Sequence, residues 1–163
     1  MKGFTLIELL LSISITGLLA IGISDFYITV VSSKVKAQQI ATVEQQGASV
    51  LQYITQIIRN AESITAPATG TSGTSLTLDV IDAAKDPTII DVSAGRLRIA
   101  EGAQAPQFLT DSHTTISNLA FYNISRASTP GVLRTSFTLT SNSQSSLYEY
   151  TFSQNFASSA SLR

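Results

Sequence analysis

Residues 4–24 read FTLIELLLSISITGLLAIGIS and hold one ionisable side chain, Glu8, among 21 residues. A helix of that length, at about 1.5 Å per residue, extends roughly 31 Å, which matches the hydrocarbon core of a bilayer. Residues 4–25 are therefore predicted to form a membrane-spanning helix. The apolar stretch of a secretory signal is shorter, about 7–15 residues, and leads into a small-residue cleavage site. Met1, Lys2 and Gly3 precede the run. Lys2 is the side-chain charge expected to hold the amino end in the cytoplasm, with the rest of the chain exported.

Glu8 is the discordant residue. A carboxylate in hydrocarbon costs on the order of 2.5–3.5 kcal/mol unless it is paired or lies near the interface. Two readings follow. Glu8 sits one turn into the helix and reaches back to head groups or to the helix amino end, where negative charge is favoured, or it takes a cationic partner.

Most of the hydrophobicity lies in the first thirty or so residues, and the remainder is rich in Ser and Thr. Ten Lys and Arg balance eleven Asp and Glu with no basic cluster, so no nucleic-acid partner is expected. There is no cysteine, and the single His113 cannot form a histidine cluster. No metal or other cofactor is expected. The length, 163 residues, leaves room for one compact domain plus an extension.

Beyond residue 25 the helical period continues. Val43, Gly47, Val50, Ile54, Ile57, Ala61 and Ile64 recur at steps of three and four. The opposite face carries Lys34, Lys36, Gln38, Gln39, Glu44, Gln45, Gln52, Gln56 and Arg59. No proline occurs before Pro67, so the spacing predicts an amphipathic continuation over residues 26–64, its apolar stripe seated on a sheet. Residues 66–74, small and Gly-rich, form a loop; they lack the Gly-Lys-Ser/Thr ending of a phosphate cradle.

From there the period becomes two. Strands are expected over residues 76–80, 88–92, 96–100, 116–124, 133–140 and 147–152, with Ser93-Ala94-Gly95 as a hairpin turn. Residues 65–163 thus form a β-rich head, an antiparallel meander of four to six strands. The fold class is α+β, one long helix packed on one antiparallel sheet.

No catalytic residues are assigned, and the chain is not expected to be an enzyme. Asp111, Ser112 and His113 are adjacent in sequence, which usually points neighbouring side chains apart, and no Gly-x-Ser-x-Gly elbow accompanies them. They read as a polar turn. Asp79, Asp82, Asp86 and Asp91 match no EF-hand spacing and read as a solvated edge. Asn123-Ile124-Ser125 fits a glycosylation acceptor but falls inside a strand candidate and is read as incidental.

Met1-Lys2-Gly3 followed by Phe4-Thr5-Leu6-Ile7-Glu8-Leu9-Leu10 resembles the type IV prepilin signal: a short basic leader ending in Gly, then Phe, an apolar run and a Glu. Gly17 stands where these helices commonly carry a glycine, and the resemblance runs through about the first twenty-five residues. It implies that residues 1–3 are a leader, that a prepilin peptidase cuts between Gly3 and Phe4, and that Phe4 becomes an N-methylated terminus. It further implies that Glu8 neutralises the terminal amine of a neighbouring subunit in a filament core, so that correct stagger is favoured. Because Glu8 lies four residues after Phe4, an intramolecular pairing is open too. Asp25 stands where many major pilins carry a proline.

The expected fold of such a protein is the helix-on-sheet architecture above. Its expected role is a structural subunit, a minor pilin or pseudopilin, of a type IV pilus, type II secretion or DNA-uptake filament. Its expected partners are prepilin peptidase, other pilin or pseudopilin subunits, an inner-membrane assembly platform and membrane lipid. Two short stretches, residues 54–61 and Ser159-Ala160-Ser161-Leu162-Arg163, resemble minor pilins and pseudopilins, and the missing cysteine pair points the same way. The alternative is a membrane-tethered exported binding or enzymatic module with a prepilin-like anchor, in which Tyr122, Tyr148 and Tyr150 would line a groove.

Overall fold

The computed structural model describes residues 5–126, 130–142 and 151–163. The expected leader, Phe4, the Ser128-Thr129 turn, Ser143 to Ser145 and the Leu147 to Tyr150 part of a strand candidate lie outside the described residues. Helix α1 spans Leu6–Asn60. The chain divides into two compact units, residues 1–38 and 39–163. In the first, the described residues are helical from Leu6, and their apolar side chains are exposed as far as Val30, with Val31 and Val35 half-buried.

The second unit contains the rest of α1 and two antiparallel sheets. One has the order β1 (Ala61–Ala66), β3 (Leu76–Val80), β4 (Thr88–Ser93), β5 (Arg96–Glu101), β6 (Gln107–Phe108). The other runs β2 (Ser72–Gly73), β7 (Thr114–Asn123), β8 (Val132–Ser141), β9 (Ser153–Ser161). The α+β class holds, but a single sheet was expected. The correction comes from pairing. Period-two alternation marks which side chains face inward, not which strand lies next door. Here β7 pairs with β2 and β8 and meets the first sheet through the Ile116 amide, which donates to the Gly95 carbonyl at 2.7 Å.

The helix ends four residues before the expected residue 64. Ala61 and Ile64 belong to β1, opposite Val80 and Leu78 of β3. Two local causes act together: Pro67 biases its predecessor away from helical angles, and Ile64 and Thr65 are β-branched. On the helix, Val43, Gly47, Val50 and Ile54 are buried as the stripe predicts, whereas Ile58, not Ile57, completes it. Residues 66–74, expected to be loop throughout, include the two residues of β2. β6 carries no sequence signal at all, and β9 begins one residue after the candidate 147–152 ends. The hairpin is as expected: Ser93 pairs with Arg96, and Ala94 and Gly95 take φ of 52° and 72°, the left-handed pair that a two-residue turn of matching twist requires.

One apolar cluster joins the helix stripe to Leu76, Leu78, Ile90, Leu97 and Ile99 of the first sheet and Ile116, Phe121, Leu133, Phe137 and Leu139 of the second. The closest approach lies at Gly47. Phe156 of β9 stacks on Phe137 of β8, ring centres 5.5 Å apart, and its ring lies against the bare backbone of Gly47, where any Cβ would overlap it. Polar side chains pin the same interface. The Ser141 hydroxyl donates to Gln39 Oε1 at 2.6 Å, and the Thr114 hydroxyl to Gln46 Oε1 at 2.5 Å.

Gly47→Val is therefore expected to destabilise the 39–163 unit by about 1–3 kcal/mol, the usual size of overpacking, despite the poor helix propensity of glycine. Chemical denaturation of the full chain in detergent measures this. In a Phe156→Leu background the same substitution should cost less, and an equal cost would rule out the ring contact as the cause.

Candidate functional site

Among the described residues, α1 is the one helix long and apolar enough to cross a membrane, and none of the side chains in its most apolar window is buried. Leu6 is 79% exposed, Leu18 72% and Ile23 68%, so the apolar surface goes all round the helix rather than along one stripe. A helix of this kind requires lipid or other apolar helices around it. Its hydroxyl groups are compatible with that surrounding, because each bonds one turn back along the helix. Ser12 donates to the Glu8 carbonyl, Ser14 to Leu10, Thr16 to Ser12 and Ser24 to Ala20, all at 2.8–2.9 Å. No hydroxyl of this group faces hydrocarbon without an acceptor.

Glu8 lies in the first turn of α1. Thr5 precedes the helix, and its carbonyl accepts from the amides of Glu8 at 3.1 Å and Leu9 at 3.2 Å. The Thr5 hydroxyl reaches Glu8 Oε2 at 3.5 Å, a long and weak bond. The carboxylate thus sits among the unpaired amides of a helix start, where negative charge is favoured by about 0.3–1 kcal/mol at exposed sites. That is less than the cost of placing a carboxylate in hydrocarbon. The helix end alone does not make Glu8 comfortable there. The expected processing residues Gly3 and Phe4 lie outside the described residues. Asp25 is helical, and its carbonyl accepts from the Thr29 hydroxyl at 2.9 Å.

The polar clusters of the β unit are used locally. Asp111 Oδ1 accepts from the His113 amide at 2.9 Å and the Thr114 hydroxyl at 3.1 Å, a turn whose carboxylate does not engage the imidazole. Of the four aspartates, Asp82 caps its own loop through the Ala84 amide at 3.1 Å, and Asp86 accepts weakly from the Val80 amide at 3.4 Å. Asp79 accepts from the Ser63 hydroxyl at 3.4 Å. Asp91 forms a two-pronged pair with Arg98 across the β4–β5 ladder, at 2.6 and 2.9 Å. They do not converge on one point.

Asn123, noted in the sequence only as part of an incidental glycosylation pattern, has a structural role that sequence reasoning missed. It is 3% exposed, its amide donates to the Pro67 carbonyl at 2.8 Å, and its Oδ1 accepts from the Ser125 amide at 3.2 Å. Its main chain exchanges bonds with Gly70 and Thr71. Asn123 fastens the 66–74 loop to β7 and, with its side-chain nitrogen so occupied, does not present a modification site. The only available signal was an asparagine in a strand, a residue type that strands disfavour unless its amide is used. Of the three tyrosines proposed for a groove, Tyr122 is exposed on the outer face of its sheet, and Tyr148 and Tyr150 lie outside the described residues.

Residues 1–24 match the family described as "Prokaryotic N-terminal methylation motif". The chain matches no curated protein and no solved structure.

The Asp91–Arg98 pair gives a pH test of the fold. The hydrogen bond from Arg98 lowers the Asp91 carboxyl below its ordinary 3.8; partial burial opposes this and the charge of Arg98 adds to it. A carboxyl depressed in the folded state adds stability that is present above the unfolded value and fades as pH falls through the folded one. Asp91→Asn should therefore be modestly less stable than the parent at pH 7 and lose part of the acid dependence below about pH 4. Thermal melts of both chains between pH 2 and 7 check this; parallel curves would remove the pair as a cause.

Proposed function

We propose, from the premise that residues 1–24 are a type IV pilin and pseudopilin prepilin signal, that this protein is a structural subunit of a filament, processed by a prepilin peptidase and assembled through its amino-terminal helix. One coincidence carries the reading: the motif overlaps the stretch of α1 whose apolar side chains are exposed on every side. In this reading lipid surrounds that helix before assembly, and the helices of other subunits surround it afterwards. The amino end is cytoplasmic and the 39–163 unit is exported through the inner membrane.

Glu8 has a defined task here. Cleavage after Gly3 creates an amine at Phe4. Moving a subunit from lipid into a packed apolar bundle is favourable only where each buried charge finds its opposite. A neighbour's Glu8 against that amine satisfies both and fixes the stagger between helices. The finer assignment, minor pilin or pseudopilin, rests on the resemblance of residues 54–61 and 159–163 to such proteins and on the absence of cysteine from the chain. A structural rather than catalytic role is supported by the way Asp111 and its neighbours are consumed in a turn.

Intact mass and amino-terminal sequencing of the membrane fraction from the native cell should find a chain beginning at Phe4 with one added methyl group. An intact Met1 would return the tethered-module reading. Replacing Gly3 by a bulky residue should leave the full-length mass in place. Glu8→Ala should insert normally but enter filaments about tenfold less or worse, since a deficit of only ~1.4 kcal/mol has that effect. Wild-type incorporation of Glu8→Ala would remove the charge-pairing role.

A further inference from the structure

The two sheets have four edges, and they are not treated alike. β1 carries Glu62 and two register shifts against β3, and β6 is two residues long. Bulges, charges and shortness are the devices that keep a sheet edge from pairing with another chain. β9 has none of them. It runs nine residues, SQNFASSAS, without charge or proline, and pairs with β8 from Thr140↔Ser153 to Val132↔Ser161 with no register shift. Among the described residues no main-chain group bonds to its outer edge. The core also runs short there. Thr135, Phe137 and Leu139 of β8 are buried, but their partners Ser158, Phe156 and Gln154 on β9 are only half-buried; burial on β9 returns at Ala160.

The opposite edge of the same sheet is β2. It is short, but it sits in residues 68–75, ATGTSGTS, eight small residues with no charge. Each strand in the order β2-β7-β8-β9 is antiparallel to its neighbours, so β2 runs opposite to β9. A second copy displaced sideways, without reversal, therefore presents its β2 antiparallel to the first copy's β9. The 39–60 part of α1 then points the same way in both copies. Antiparallel pairing of β9 with another β9 would instead turn that helix end for end, which two chains inserted from the same end cannot adopt.

We infer that this sheet continues from one copy of the chain into the next, β9 of one against the β2 edge of another, a proposal that rests on the filament reading for its setting. Face and size select a register. Ser72 shares the outer face with Ala157, and Gly73 opposite Phe156 supplies the missing neighbour without crowding the ring. Thr71 then meets Ser158 and Thr74 meets Asn155. The contact uses different surfaces on the two partners, so it propagates rather than closing into a pair, as a filament needs.

The natural absence of cysteine gives a clean test. Opposed residues of an antiparallel ladder lie about 4.5–5.5 Å apart at Cα, within the disulfide range of about 4.4–6.8 Å. The full chain carrying Ser72→Cys and Ala157→Cys, expressed in its native cell and oxidised, should give a ladder of dimers, trimers and higher species. Ser63→Cys with Phe108→Cys on the other sheet's edges should not. Adding Ala157→Lys to a chain probed through Thr74→Cys and Asn155→Cys, the next opposed pair on the outer face, should cut the yield at least tenfold, with unchanged circular dichroism. Dimers from Ala157→Cys alone as abundant as the ladder would mean pairing of like edges and overturn the proposal. So would an absent ladder in filaments that contain the chain cut at Phe4, which leaves the filament reading standing. If Met1 is retained and no filament forms, that reading falls, and oxidation of the full chain concentrated in detergent decides the sheet contact by the same two products.

Discussion

One helix must satisfy two different surroundings. Over residues 43–58 α1 offers a single apolar stripe, and two sheets cover it through one continuous core. Before residue 25 it offers exposed apolar side chains in every direction. Each buried Leu or Ile side chain contributes about 1.5–3 kcal/mol relative to exposure. An exposed run of eleven such side chains, from Leu6 to Ile23, therefore creates a drive toward lipid or other helices that no local feature of the β unit can offset. The β unit, for its part, depends on close approach to the helix, and Gly47 under the Phe156 ring is where that approach is tightest.

The two regions handle polar groups by the same rule. In the uncovered stretch, Ser12, Ser14, Thr16 and Ser24 turn back to the carbonyl four residues earlier, which lets hydroxyls enter an apolar medium. In the core, Gln39 and Gln46 reach across to Ser141 and Thr114, and Asn123 spends its amide on Pro67. Glu8 is the group for which a local solution is weakest: among the described residues its carboxylate meets the Thr5 hydroxyl at 3.5 Å, a long and weak bond.

Much of this was legible residue by residue. The length and purity of the 4–24 run, the proline-free interval to Pro67, the stripe from Val43 to Ile54 and the Ala94-Gly95 hairpin each depend on steric or solvation rules that act over a few neighbouring positions. The reading failed where a choice depended on distant partners. Ile64 fits a helix by spacing but is held by Leu78 in a ladder, and Ile58 displaces Ile57 once the sheets settle on the helix. β9 went unread because its inward positions hold Gln154 and Ser158 as well as Phe156, so hydrophobic alternation fades where the core thins.

The sequence by itself determined that this chain has an amino-terminal helix made for an apolar medium, with a prepilin signal at its start, followed by an amphipathic stretch and strands. Those follow from local chemistry: side-chain solvation, helical and strand periods, and the residues a turn requires. Only the tertiary structure decided that the strands divide into two sheets, that Asn123 fastens the loop, and that one long neutral strand lies at a sheet edge without a further partner among the described residues. Strand pairing is a contest among backbones whose hydrogen-bonding groups are chemically identical. Its outcome depends on which faces the whole core can bury at once.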